Sequence, residues 1–381
     1  MKTIRHLLLA ASFILTCATG HAAQHAVAPG QNVQTVVDGA ASGDVIRFLA
    51  GAYGDLTIVN KDLTLKAIGG SSAQLGAVEV NGSAVTMIKV GASAFEANDL
   101  PGDASKIIAI QGSFVNFETN AAETHLAYCN LKHLVFHGVG TITGCEFNGE
   151  PQGSGGIGVD VHGAGTRIVL RNSLIHDYTR SAGSNLSDAC IGVSIRDGAK
   201  ADVINNVIHD FVEAGHGGTN TRVGMGIYVK TGSQALILGN VIYQCSASGT
   251  PFVGNRLVWA PATSIVRNNV LWNNSDYVHP DLVGGGVTAV GTISADPKFV
   301  AGAPYSYQLQ GSSPAKNAGP PDPQYNDRDG TRNNAGMYGG HNYIPNGMTT
   351  DKPIAITLEA SPLVVPTGGV ITIESTGATV K

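Results

Sequence analysis

Charge is scarce in this chain. Only 13% of its 381 residues are charged, and the net charge is −5. No basic surplus marks a nucleic-acid partner, and so mild an acidity leaves local patches to decide whether a polyanion binds. Aromatic residues are also few, at 6% with 2 tryptophans, which suits tight corners and thin strands. Helical caps and 3.6-residue periodicity are missing between Gly156 and Trp272, so crossover helices are excluded there. Beyond Thr19 no apolar run reaches about 18 residues, which excludes a later membrane span. The chain has no Gly-x-Ser-x-Gly elbow, no phosphate loop, and no Cys/His nucleophile pair at a recognised spacing.

What the chain does have is 50 glycines and a repeat. One set of segments reads Gly158–His162, Gly192–Arg196 and Gly226–Lys230. A second reads Val169–His176, Val203–His209, Ile237–Tyr243 and Val266–Trp272. Corresponding positions recur roughly every 30 to 34 residues, the mark of a stacked-repeat architecture. Apolar and polar residues alternate with period 2, so the units are strands. Short strands that return to one register through Gly- and Asn-rich corners describe a parallel β-helix. Asn206, Asn240 and Asn269, with Ser173 in the matching slot, are expected to bend the corner in the left-handed region and to bond along a ladder.

The N-terminus reads as an export signal. Lys2, Arg5 and His6 precede the apolar stretch Leu7–Thr19, with cleavage near Ala22 or Ala23. The expected division is residues 1–23 as signal peptide, 24–345 as the β-helix with its caps, and 346–381 as linker and short β-rich tail. The chain is thus expected to be secreted. The tail is too short for its own core; a strand pair docked on the helix and the start of a lost sandwich domain both fit it. Cys129, Cys145, Cys190 and Cys245 match no metal spacing and are expected as buried thiols. If a bridge forms, Cys129 with Cys145 is the pair.

Val33–Val37 is expected to make a short helix capping the first coil, and the strands Leu56–Ile58 and Leu63–Leu65 follow. Residues 91–105 read as an inserted surface loop, and Ile142–Phe147 as one strand. The run Gly43-Asp44-Val45-Ile46-Arg47-Phe48, then Gly51-Ala52-Tyr53-Gly54, then Leu56-Thr57-Ile58 and Leu63-Thr64-Leu65-Lys66-Ala67 resembles the opening of secreted right-handed β-helix proteins of the pectate-lyase-like superfamily. The closing stretch from Asp296 to Gly340 is similar to their C-terminal segments. The resemblance covers roughly residues 28 to 340. It implies fold more than function, since the superfamily includes lyases, hydrolases, epimerases, tailspikes and adhesins.

Alternation predicts which residues face out. Val159, Val161, Val193, Ile195, Ile227 and Val229 point inward. Asp160, Ser194 and Tyr228 then form one outer column, and His162, Arg196 and Lys230 the next. With coils about 4.8 Å apart, the three basic or potentially basic groups should repel by about 1 to 4 kcal/mol, and Lys230 should release its proton more readily. That arrangement suits β-elimination on a uronic-acid polysaccharide. Lys230 would be the base and Arg196 the carboxylate clamp or acid, with His162 and Tyr228 as alternative proton carriers. Two excursions, 178–189 and 211–224, enter at one phase and should wall the site. Asp160, Ser194, Asp188, Glu213, His216 and Trp259 are the expected substrate-binding residues. Asp160 with Asp188 or Glu213 would be the carboxylate pair of a hydrolase. Asp327-Arg328-Asp329-Gly330 suits either a Ca2+ ion or a salt-bridged turn. His176-Asp177 and His209-Asp210 read as a packing column, because Tyr243 and Trp272 continue their series. The overall reading is an all-β, right-handed parallel β-helix that degrades an acidic polysaccharide as a lyase. A glycoside hydrolase and a non-catalytic adhesin or surface protein are the alternatives.

Overall fold

The computed structural model describes residues 22–70, 72–149, 156–180, 190–213, 224–247, 256–272, 281–300, 306–361, 370 and 372–380. The expected signal peptide lies almost wholly outside them. Among the described residues no helix is long and apolar enough to cross a membrane.

The chain coils into a right-handed parallel β-helix. One wall is a 12-stranded parallel sheet running from Gln24–Val27 to Ala289–Val290. The other wall begins with the short strands Gly51–Ala52 and Leu56–Val59 on Ala73–Asn81, and continues as the long strands Val90–Asn98, Ser113–Asn120 and Asn130–Phe136, paired coil upon coil. It forks at the last of these. Asn130 and Leu131 pair with Glu146 and Phe147, whereas Leu134–Phe136 pair with Val159–Val161. From there each coil has a first arm (Leu174–Arg180, Val207–Glu213, Val241–Tyr243, Val270–Trp272) and a second arm (Ile157–His162, Ile191–Arg196, Met225–Val229, Val258–Trp259). Inserted chain separates the arms, so the coil lengthens. The step is 16 residues from Cys129 to Cys145 and 34 from Asn206 to Asn240.

The two kinds of coil explain two corrections. Residues 91–98 are strand rather than loop. Their small inward residues, Ala92 and Ala97, leave room for the Phe95–Phe117 stack, 4.3 Å between centroids, with Phe114 edge-on. Ile142–Phe147 is two strands, Val139–Thr143 and Glu146–Asn148, divided by a corner at Gly144.

The corner splits its work between neighbouring positions. The left-handed residues are Asn172 (φ 52), Asn205 (φ 54), Gly239 (φ 62) and Asn268 (φ 55), one position before the expected asparagines. Asn206, Asn240 and Asn269 take part in the ladder and not in the bend. The Asn206 N–H donates to Asn240 Oδ1, and the Asn240 N–H to Asn269 Oδ1, both at 2.9 Å. Ser173 continues it, its N–H donating to Asn206 Oδ1 at 3.0 Å. Cys145 and Cys129 occupy the same slot above it, where the Cys129 N–H meets Cys145 Sγ at 3.4 Å. All four described cysteines are buried free thiols.

The helix Val33–Gly39 buries Val33 and Val37 against the first coil, and Asn32 caps it by accepting the Thr35 N–H. The segment expected as a C-terminal cap runs back along the side of the coils. Tyr307, Ala315, Ala318 and Ala335 pack on Leu174, Val207, Val241 and Val270. Asn172 and Asn205 donate to its carbonyls at Gly339 and Asn334. The tail is an antiparallel hairpin, Ile354–Ser361 with Thr372–Ala378. A lone hairpin is marginal in water; this one buries Ile354 and Ile356, which with Val380 pack on Ile88, Ile108, Ile110 and Tyr128 of the long sheet.

Candidate functional site

The second arm carries the site because its strands end in register. His162 pairs with Arg196 across adjacent coils, and Lys230 follows Val229, the partner of Ile195. The backbone N–H of Lys230 donates to the Ile195 carbonyl at 2.8 Å. Val159, Val161, Val193, Ile195, Ile227 and Val229 are fully buried in the core, which fixes the phase of everything outside.

Side chains in the expected outer column do not lie open. Asp160, Ser194 and Tyr228 are 7%, 2% and 9% exposed. Tyr228 packs against Ile191, Met225 and Trp259, and the Arg196 guanidinium lies on Asp160. The rim beyond them is accessible: His162 and Arg196 are half-buried and Lys230 is exposed.

Nor do the cations face one another across water. Arg196 forks onto Asp160, Nε to Oδ1 at 3.0 Å and Nη2 to Oδ2 at 2.7 Å. Its Nη1 reaches Asp197 Oδ2 at 2.9 Å, and Lys230 Nζ reaches Asp197 Oδ1 at 2.7 Å. One carboxylate thus bridges both cations, which replaces the expected repulsion by attraction. Asp160 holds the Arg196 guanidinium above its ordinary pKa, so it is a fixed cation. The Lys230 ammonium, helped by Arg196, holds the Asp197 carboxyl below the usual carboxylate range.

His162 lies at the other end of this row. Its ring meets the His137 ring edge-on, with centroids 3.8 Å apart. Burial, and next the Arg196 charge and His137, hold His162 below the ordinary imidazole value of 6.5. It is therefore a neutral imidazole near pH 7, beside a permanent guanidinium.

Further residues complete the neighbourhood. Tyr228 is in register with Trp259, and Arg256 lies over the Trp259 ring at 5.6 Å. The backbone of Glu213 pairs with Arg180 and Ala247. Asp188 and His216 lie outside the described residues, as does most of the two excursions.

Sequence reasoning missed His137 and Asp197. A signal for both is the repeated strand end followed by glycine: Phe136-His137-Gly138, Val161-His162-Gly163 and Ile195-Arg196-Asp197-Gly198. Each glycine is left-handed, at φ 91, 98 and 89, and turns the chain back to the long sheet. Asp197 is itself left-handed at φ 58, a conformation aspartate tolerates better than most side chains.

Elsewhere, the Asp327 and Asp329 carboxylates are engaged inside their own segment. Asp327 accepts from the Asn334 and Gly340 backbone N–H groups, and Asp329 from Thr331. On the first arm, His176, His209 and Tyr243 stack as near-parallel rings, with centroids 5.3 and 4.7 Å apart.

No curated protein matches the sequence. Among solved structures, the chain is similar to the crystal structure of pectate lyase Pel9A, with 13% identity over 84% of this chain and 96% of that one, at a TM-score of 0.45. Residues 130–296 match the family described as right handed beta helix region. The same parallel coils extend from Gln24 to Val290, and the protein is a right-handed parallel β-helix.

Proposed function

We propose that this protein is exported and cleaves an acidic, uronic-acid polysaccharide by β-elimination on the outer face of the second arm. The observation that carries the reading is an imidazole, His162, in register on the adjacent coil with a guanidinium, Arg196, that Asp160 clamps at two points; the lowered pKa of His162 agrees with it. The reaction needs both. A cation over the uronate carboxylate stabilises charge as the neighbouring carbon is deprotonated, and a base must be unprotonated near neutral pH to take that proton.

The roles then differ from those expected of the sequence. Arg196, aimed by its fork with Asp160, receives the carboxylate in place of its contact to Asp197. His162 takes the proton on the carbon next to that carboxylate. The electron pair forms the new C–C double bond, and the glycosidic C–O bond breaks. Lys230, exposed and paired with Asp197, supplies the proton to the leaving oxygen. His137 orients the His162 ring. Trp259, half-buried over the buried Tyr228, offers a ring to a neighbouring sugar, with Ser194 packed between Asp160 and Tyr228.

A second reading, a β-helix that binds an acidic glycan without cutting it, is favoured by one observation. Both cations already have carboxylate partners. Incubation with pectate, alginate and glycosaminoglycans separates the cases. A lyase gives unsaturated uronate, seen by its ultraviolet absorbance. A hydrolase gives reducing sugar without that absorbance, and a binder retains polymer and releases nothing.

A further inference from the structure

The first arm carries a separate cluster of ionisable groups that the elimination chemistry does not use. His176 and His209 pair in register on adjacent coils. Each is followed by an aspartate in the left-handed region, Asp177 (φ 60) and Asp210 (φ 56). That bend folds each carboxylate back onto the Nδ1 of the ring before it. His176 Nδ1 lies 2.8 Å from Asp177 Oδ2, and His209 Nδ1 lies 2.7 Å from Asp210 Oδ2. The far ring nitrogens are anchored independently. His176 Nε2 meets Glu146 Oε1 at 3.1 Å, and His209 Nε2 meets the Tyr307 hydroxyl at 2.7 Å. Both imidazoles are buried, whereas the Asp177 and Asp210 side chains are 29% and 36% exposed. One donor atom from each of Asp177, His209 and Asp210 falls within 4.8 Å of the others.

We propose that this corner binds a first-row divalent metal ion of the zinc class, with His209 Nδ1 and the Asp177 and Asp210 carboxylates as its ligands. Three features support the assignment. One nitrogen with two carboxylates is a mixed donor set that suits zinc-class ions, while calcium and magnesium take all-oxygen sets. The Tyr307 hydroxyl holds the far side of the His209 ring, as outer partners of ligating histidines do. The half-exposed carboxylates give the ion a path from solvent and leave its remaining positions to water. With the ion on Nδ1, the neutral His209 ring carries its proton on Nε2 and donates it to the Tyr307 hydroxyl, so Nδ1 keeps a free lone pair for the metal. Stacking of His176 on His209 fits the same arrangement, because it fixes the ring plane while the ring edges meet the carboxylates. The proposal does not depend on the lyase reading, since the residues lie on the other arm.

Calorimetric titration of the full chain with Zn2+ at neutral pH tests it, with Ca2+ as the competing probe and Co2+ as a spectroscopic one. The expected result is one Zn2+ per chain with micromolar affinity, no comparable Ca2+ binding, and a Co2+ visible spectrum of nitrogen and oxygen ligation. Asp177→Asn with Asp210→Asn should weaken Zn2+ binding by about tenfold or more, and Tyr307→Phe by about tenfold. Asp38→Asn, on the N-terminal helix, should leave it unchanged. Circular dichroism confirms that each variant is folded; if the double variant is not, Tyr307→Phe and the wild-type Co2+ spectrum decide. Absence of saturable Zn2+ binding, Ca2+ binding of equal strength, or a folded double variant that binds like wild type would each overturn the assignment.

Discussion

Arg196 and Asp160 sit on adjacent coils and are joined at two points, Nε to Oδ1 at 3.0 Å and Nη2 to Oδ2 at 2.7 Å. The Asp160 side chain is nearly buried, so removing its cation leaves a carboxylate with little water to replace it. Arg196→Ala is expected to lower stability by about 1–3 kcal/mol. Arg196→Lys keeps the charge but loses the fork, and should cost less in stability than in activity. The double variant Arg196→Met with Asp160→Leu should recover most of the loss, because a buried pair replaced by apolar groups is often neutral. Urea unfolding of the three variants checks the order.

The asparagine ladder gives a second expectation. Asn240 Oδ1 accepts the Asn206 backbone N–H, and Asn240 Nδ2 donates to the Val203 carbonyl at 2.8 Å. Asn240→Ala strands both groups in a buried corner, and should cost about 1–3 kcal/mol. Asn240→Ser should cost less, since Ser173 holds the equivalent slot by accepting the Cys145 N–H at 3.2 Å. Denaturant midpoints of the two variants report the difference.

Close approach between coils fixes a third. A Cβ on Gly140 would lie 1.7 Å from the Thr124 carbonyl oxygen. The neighbour is backbone of the paired strand and cannot swing away. Gly140→Ala should therefore destabilise by about 1–3 kcal/mol or more. A thermal melt unchanged from wild type would contradict the register there.

The pH dependence follows from His162. Its folded pKa lies below the ordinary value of 6.5, held down by burial and then by Arg196. The unfolded chain therefore takes up this proton first as pH falls. Stability should decline from about pH 6.5 downward and be unaffected above it. His162→Gln should flatten that decline, measured as unfolding free energy across the acid range. Activity should show the same sign: the acid limb of the rate profile should lie below that of an ordinary histidine.

Much of this architecture was legible in the sequence, and the reasons for the rest are local. The coils from Gly156 to Trp272 were readable because Val193-Ser194-Ile195 and Ile227-Tyr228-Val229 alternate large apolar residues with polar ones. Residues 91–98 escaped because alanines fill inward positions there, so the alternation has little amplitude. The column of His162, Arg196 and Lys230 could be placed by period alone. The bridging carboxylate of Asp197 could not, because it reaches the column from a left-handed turn residue, outside the period-2 rule. Burial of Asp160 and Tyr228 depends on neighbours such as Arg196 and Met225, whose side-chain positions a strand pattern does not carry.

Release of unsaturated uronate from an acidic polysaccharide, compared between wild type and His162→Gln at equal melting temperature, tests the central claim most directly. Wild type should produce the absorbing product from at least one of pectate, alginate or a glycosaminoglycan, and the variant should lose it by orders of magnitude while still binding polymer through Arg196. An undiminished rate in the variant, or no such product from wild type on any of these polymers, would contradict elimination at this face.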